Sequence, residues 1–107
     1  MAIPAYRRVI VKVSGEAFSG PNDFGIHAPT IEAIVKDLVA ARALGITIGV
    51  VVGGGNLIRG AESADAWLSR PTADAMGMMG TVMNALVLES AIERAGVPAR
   101  NATVAGS

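Results

Sequence analysis

The stretch Ile46-Thr47-Ile48-Gly49-Val50-Val51-Val52-Gly53-Gly54-Gly55-Asn56 decides the fold. It is a short β-branched run that ends abruptly in three glycines. An earlier run, Val9-Ile10-Val11-Lys12-Val13, ends in Ser14-Gly15-Glu16 in the same manner. Both read as strands buried on both faces, Lys12 apart, of the kind found in parallel sheets. Between them Ile31, Ile34, Val35, Leu38 and Val39 recur at helical spacing, with Glu32, Lys36, Asp37 and Arg42 off the stripe. Pro29 suits the first turn of that helix, where a missing N–H costs nothing, and Gly45 suits its left-handed cap. Strand, helix and strand with short links form a βαβ unit, which makes the strands parallel and the crossover right-handed. The predicted class is α/β. Both glycine turns then fall at one edge of the sheet, outside the carboxyl ends of the strands, where open α/β folds bind ligands.

Outward from this unit the signals weaken. Residues 14–27 are rich in turn formers, with Gly20-Pro21-Asn22-Asp23 the strongest signal. Residues 61–68 read as a short helix broken before Pro71. Thr72 then reads as the N-cap of a long helix running to about Ala95. Within it Met76, Met79, Met83, Leu86 and Val87 define one apolar face, and Met78, Val82 and Leu88 define another. A helix apolar nearly all round is buried on several sides. In a chain this short, one of those sides is expected to meet another subunit or more of the protein. Gly96-Val97-Pro98 ends the helix, and residues 101–107 read as the start of a third strand.

Bulk properties narrow the function classes. A length of 107 residues allows one domain. With 51% hydrophobic residues and a mean hydropathy of +0.48, the chain is apolar enough to build a core. Nine basic and nine acidic residues leave no net charge, so no electrostatic footprint for nucleic acid or an anionic membrane is present. Cysteine is absent, which excludes disulfides and thiolate sites and fits a cytoplasmic setting. Behind the early arginines there is no apolar segment of signal-peptide type. Glycines and charges interrupt each apolar run before the roughly 18 residues that a membrane span requires, so no span is expected. With one histidine and no cysteine, no protein-ligated metal is expected either.

Glycine turns at strand ends leave backbone N–H groups uncovered, and those can point at an anion such as phosphate. Lys12 would supply the matching charge, since lysine is rarely placed in an apolar strand without a partner. The competing reading has Lys12 on an edge strand facing water. The three glycines serve either a bound phosphate or close backbone packing against a helix. They match neither a Walker A loop nor a GxGxxG fingerprint. Arg59 follows the turn within helical reach, or is a surface arginine. Asp74 either complements a helix dipole from the first turn or accepts hydrogen bonds from sugar hydroxyls. Glu16 is left between pairing with a lysine and capping a turn. His27 sits in a turn-rich loop and reads as a structural residue rather than a general base.

Three segments together closely resemble the bacterial uridylate kinases. They are Val11-Lys12-Val13-Ser14-Gly15-Glu16-Ala17, Gly53-Gly54-Gly55-Asn56-Leu57-Ile58-Arg59-Gly60 and Asp74-Ala75-Met76-Gly77-Met78-Met79-Gly80-Thr81-Val82-Met83-Asn84. Those enzymes have the amino-acid-kinase (carbamate-kinase-like) fold, unrelated to P-loop kinases. The resemblance implies a three-layer α/β/α sandwich with a mainly parallel sheet. It implies transfer of the ATP γ-phosphoryl group to UMP, giving UDP and ADP with Mg²⁺. By the same resemblance Lys12 would neutralise the transferring phosphoryl group. Ser14, Gly15, Gly55 and Arg59 would line the ATP side, and Gly54 and Asp74 the UMP side. Gly20, Pro21, Asn22, Asp23, Phe24 and Gly25 match a loop that the family links to activation by GTP. Inhibition by UTP and a homohexameric assembly are further implications. Two alternatives stand beside this one. A non-catalytic nucleotide-binding relative would keep the glycines but has no need of Lys12. A carboxylate or carbamate kinase of the same fold does not explain the segment from Asp74.

Members of that family are longer than this chain. Residues 1–107 are therefore expected to form the N-terminal half of one amino-acid-kinase domain, without the C-terminal half. The isolated chain is expected to form no UDP from UMP and ATP. A coupled assay that found full-rate UDP formation by the 107-residue chain would overturn this.

Overall fold

The computed structural model describes residues 8–57 and 68–100. Strand β1 (Arg8–Val13) and strand β2 (Thr47–Val52) pair in parallel, with Lys12 opposite Val51 and Val13 opposite Val52. Helix α1 (Gly15–Ser19) follows β1 directly, helix α2 (Ala28–Ala43) connects the strands, and helix α3 (Arg70–Arg94) closes the described order. Residues 55–57 form one further helical turn. The expected βαβ unit is present, and its two strands end side by side.

Local chemistry explains each boundary. Pro29 lies in the first turn of α2, and Gly45 takes a φ of 85° just beyond its end, as the sequence suggested. Helix α1 lies in a segment expected to consist of turns. Ser14 starts it, with its Oγ accepting a hydrogen bond from the Ala17 N–H at 3.4 Å. The long helix begins earlier than expected. Ser69, not Thr72, is its N-cap, and the Ser69 Oγ accepts from the Thr72 N–H at 3.3 Å. Pro71 is inside the first turn rather than before it, because a proline there forfeits no intrahelical bond. The short helix expected over residues 61–68 and the third strand expected over residues 101–107 lie outside the described residues, Leu68 excepted.

The core comprises Val13, Phe18, Ile31, Val35 and Leu88, joined by half-buried Val11, Val50, Val52, Ile34, Leu38, Val39, Val87, Ala91 and Ile92. Every member of the α2 stripe is therefore in the core. Helices α2 and α3 cover the same face of the two strands, and burial alternates along both strands accordingly. The strands are thus not buried on both faces, contrary to expectation. Ile10 is 79% exposed and Val51 52% exposed on the uncovered face, which also carries Lys12. Two layers are present among the described residues.

Helix α3 departs furthest from its sequence pattern. Its buried positions are Gly80, Asn84 and Leu88, spaced four apart, while Met79, Met83 and Leu86 from the expected apolar face are mostly exposed. Contrary to the expectation of no span, this 25-residue helix is long and apolar enough to cross a membrane by length and composition, with a window hydropathy of 1.3. It packs on α2 and on the sheet through a stripe that includes a fully buried asparagine. Among the described residues 17% of that window is buried, along this stripe.

Phe18 ties the short helix to this core and has no exposure. Phe18→Ala is expected to destabilise the fold by about 3–5 kcal/mol, the usual cost of emptying a buried aromatic site. Equilibrium denaturation would measure it. A loss under about 1 kcal/mol would show that α1 is not part of the cooperative core.

Candidate functional site

The site is built where the two strands end. Gly53 N–H donates to the Val13 carbonyl at 3.3 Å, which prolongs the strand pairing by one bond into the turns. Beyond it the two turns approach so closely that a Cβ on Gly15 would collide with the backbone N of Gly55. A Cβ on Gly53 would lie 3.3 Å from the Gly15 backbone N. Lys12, Ser14, Gly15, Gly54 and Gly55 are thus brought to one edge of the sheet. Lys12 is exposed on the face away from the helices, so the reading of an outward-facing lysine describes its surroundings in the described residues. The Ser14 hydroxyl oxygen caps α1.

The three glycines of the second turn have separate duties, and none has a positive φ. Gly54 is pressed against helix α3. A Cβ there would lie 2.5 Å from the Thr81 backbone N and 2.7 Å from the Gly80 carbonyl carbon. The close-packing reading therefore accounts for Gly54. At Gly55 an added Cβ would meet nothing within 4 Å, so of the three only this glycine has open space where a side chain would stand.

Asparagines lock the turn in place. Asn56 and Asn84 are both fully buried. The Asn84 Nδ2 donates to the Gly53 carbonyl at 2.8 Å and to the Asn56 Oδ1 at 2.6 Å. The Asn56 Nδ2 donates to the Gly25 carbonyl at 2.7 Å and to the Asn84 Oδ1 at 3.3 Å. Gly25 N–H in turn donates to the Asn56 carbonyl at 2.8 Å. No hydrophobic or charge pattern points to this pair. The only cue is two amides inside otherwise apolar or glycine-rich segments, where burial without partners costs several kcal/mol.

The loop over residues 20–25 is anchored at both ends and exposed between them. Gly20 has a φ of 58°, and a Cβ there would lie 2.5 Å from the Thr30 Oγ1 and 2.8 Å from the His27 Nδ1. His27 and Thr30 are themselves hydrogen-bonded at 2.8 Å. His27 is a structural residue of the loop, as its context suggested. Gly25 is held by Asn56, whereas Pro21, Asn22, Asp23 and Phe24 are exposed, Phe24 at 71%.

Asp74 stands apart from the turns. It is exposed, lies beyond the first turn of α3 and pairs with Arg70 at 3.6 Å. The first-turn dipole role is thereby corrected, because the helix starts at Arg70 rather than after Thr72. Six residues separate it from Gly80, which places it about 9 Å along the helix axis from the Gly54 contact. Arg59 lies outside the described residues. Among the described residues, no group of three or more His, Cys, Asp or Glu side chains is placed to hold a metal ion.

Comparison with known proteins agrees with this layout. Residues 7–106 match the amino acid kinase family. The chain belongs to that family. Over 100 residues it is 60% identical to the uridylate kinase of Rhodopseudomonas palustris (strain BisA53), covering 94% of this chain and 42% of that protein. It is also 60% identical over 97 residues to the uridylate kinase of Nitrobacter winogradskyi, covering 91% and 41%. The crystal structure of UMP kinase from Bacillus anthracis superposes with a TM-score of 0.75 at 31% identity, covering 83% of this chain and 36% of that one. The chain thus spans less than half the length of these relatives. The α/β fold and the uridylate kinase resemblance both stand.

The glycine geometry makes a sharp contrast testable. Gly54→Ala is expected to destabilise by about 1–3 kcal/mol through overpacking against α3. Gly55→Ala, with open space around its Cβ, is expected to change stability by less than about 0.5 kcal/mol. Thermal denaturation of the two variants side by side would check the order. Equal losses would mean that the Gly54–Gly80 contact is not tight.

Proposed function

We propose that this chain forms part of an ATP-dependent UMP kinase, which transfers the γ-phosphoryl group of ATP to UMP and releases UDP and ADP. The observation that carries the reading is the meeting of two strand-end glycine turns at one sheet edge, with Lys12 one residue before the end of β1. High identity to proteins named uridylate kinase supports the choice of substrate. We place residues 1–107 in the N-terminal half of one such domain.

In the reaction an oxygen of the UMP phosphate attacks the γ-phosphorus, and the bond to the β,γ-bridging oxygen breaks. Catalysis of this step consists mostly of positioning and charge stabilisation. Lys12 neutralises charge on the transferring group, as fixed cations do at phosphoryl oxygens. Ser14 and Gly15 stand beside the ATP phosphates, Gly55 offers the uncovered backbone, and Arg59 adds charge on the ATP side. Gly54 borders UMP, and Asp74 accepts from its sugar or base. Mg²⁺ arrives bound to ATP as part of that substrate.

The exposed tip of the loop over residues 20–25 is consistent with an effector contact, for which GTP is the candidate activator, with UTP the candidate inhibitor. Exposed Met79, Met83 and Leu86 on α3 support a homo-oligomer, a hexamer by resemblance. A cytoplasmic location completes this reading. The non-catalytic alternative has no use for Lys12 at the strand end, and a carboxylate or carbamate kinase leaves Asp74 without a role.

In the full-length protein that carries this segment, UMP should be phosphorylated in preference to CMP and to small carboxylates. Lys12→Ala should lower kcat by about 10²–10³-fold, the scale of losing one preorganised charge-stabilising group, with little change in UMP affinity. Steady-state kinetics with isothermal titration would separate the two effects. If UMP affinity falls and turnover does not, Lys12 binds the acceptor instead.

A further inference from the structure

We propose that the Asn56–Asn84 amide pair is a positioning element of the phosphoryl-transfer site, fixing the glycine turn against helix α3 so that the two nucleotides meet in register. The inference rests on the UMP kinase reading above and assigns residues which that reading leaves without a role. Each primary amide carries two N–H donors, and each of these four donors has an acceptor. Two bonds join the pair to itself, one reaches the Gly53 carbonyl and one the Gly25 carbonyl. The network is fully satisfied and fully buried, the condition in which polar groups rigidify a unique arrangement.

What the pair fixes matters for the chemistry. The Gly53 carbonyl and the Gly54 N–H belong to one planar trans peptide. Holding the carbonyl oxygen on Asn84 therefore sets the direction of the next N–H in the turn. Gly80 contacts Gly54 one helical turn before Asn84 contacts Gly53. Two contacts on successive turns fix both the height and the rotation of α3 relative to the glycines. Asp74 rides on the same helix, beyond this clamp. Apolar side chains of similar size would fill the space, but burial is non-directional and would leave rotation free. Hydrogen bonds specify angle as well as distance.

The test compares Asn84→Ala with Leu88→Ala in the full-length protein. Leu88 is buried one turn further along the same stripe, in the apolar core with Phe18, Ile31 and Val35. Asn84→Ala should lower kcat at least tenfold and raise KM for both UMP and ATP, measured where circular dichroism shows the variant folded. Leu88→Ala should lose a comparable or larger amount of Tm and keep its kcat. The double variant Asn56→Ala/Asn84→Ala should be no slower than the slower single variant, because the pair acts as a unit. Equal kcat in Asn84→Ala and Leu88→Ala would overturn the proposal. Should Asn84→Ala not fold, Asn84→Ser carries the same comparison with one donor retained. Absence of UMP phosphorylation by the unsubstituted protein would sink the functional reading alone. The pair is then judged by amide exchange, where Asn84→Ser must accelerate Gly54 and Gly55 more than Leu88→Ala does. Equal acceleration would overturn it.

Discussion

Two asparagine side chains with no exposure to solvent hold the segments of the site to one another. Asn84 reaches from α3 to the glycine turn, and Asn56 reaches from that turn to the root of the loop over residues 20–25. Without these side-chain bonds, α3 would be held to the turn by packing, which tolerates sliding and rotation, and the loop root would keep the Gly25 N–H bond to the Asn56 carbonyl. Buried amides are costly when any donor is left over. The arrangement therefore stands or falls as a whole. Here every buried side-chain polar atom among the described residues has a partner, so the cost is met and the geometry is specific.

The glycines complete this constraint from the other side. Gly54 lets its backbone approach that of helix α3 at Gly80 and Thr81 to a distance that no side chain permits. Gly15 does the same where the two strand-end turns meet, because a side chain there would strike the Gly55 backbone N. Packing and anion binding are therefore not rival explanations of a glycine-rich turn. Close approach of Gly53 and Gly54 to their neighbours fixes the turn, and a fixed turn can present Gly55 to a ligand without reorganising. Preorganisation of this kind is the main resource of a site whose chemistry needs positioning more than proton transfer.

Much of this fold was legible in the sequence because its signals are local. The α2 stripe from Ile31 to Val39, the cap at Gly45 and the two β-branched runs each follow from spacing and residue type. The failures share a cause. Methionines and leucines dominate the sequence pattern of helix α3, yet the stripe it buries is Gly80, Asn84 and Leu88, of which Leu88 alone is strongly apolar. Five residues give too short a window for periodicity to mark helix α1, although Ser14 is a good cap and Phe18 a good anchor. Apolar residues occupy both alternations of the two strands, which points to burial on both faces, whereas among the described residues the helices cover one. Lys12 and the triple glycine were legible as site candidates. Their scaffold was not, because amide pairing across 28 residues of sequence leaves no periodic trace.

The uncovered strand face gives Lys12 its character. Lys12 is exposed there. Its neighbours on that face, Ile10 and Val51, are apolar and offer it no competing partner. On the proposed reading, a phosphoryl group arriving at the strand ends would meet a lysine that makes no ion pair among the described residues. Closing water out of such a place strengthens that attraction, because the same two charges interact several-fold more strongly once the effective dielectric falls. The apolar residues beside the lysine are therefore part of the electrostatics. On the proposed reading, a nucleotide bound at the strand end would help to exclude water beside this lysine.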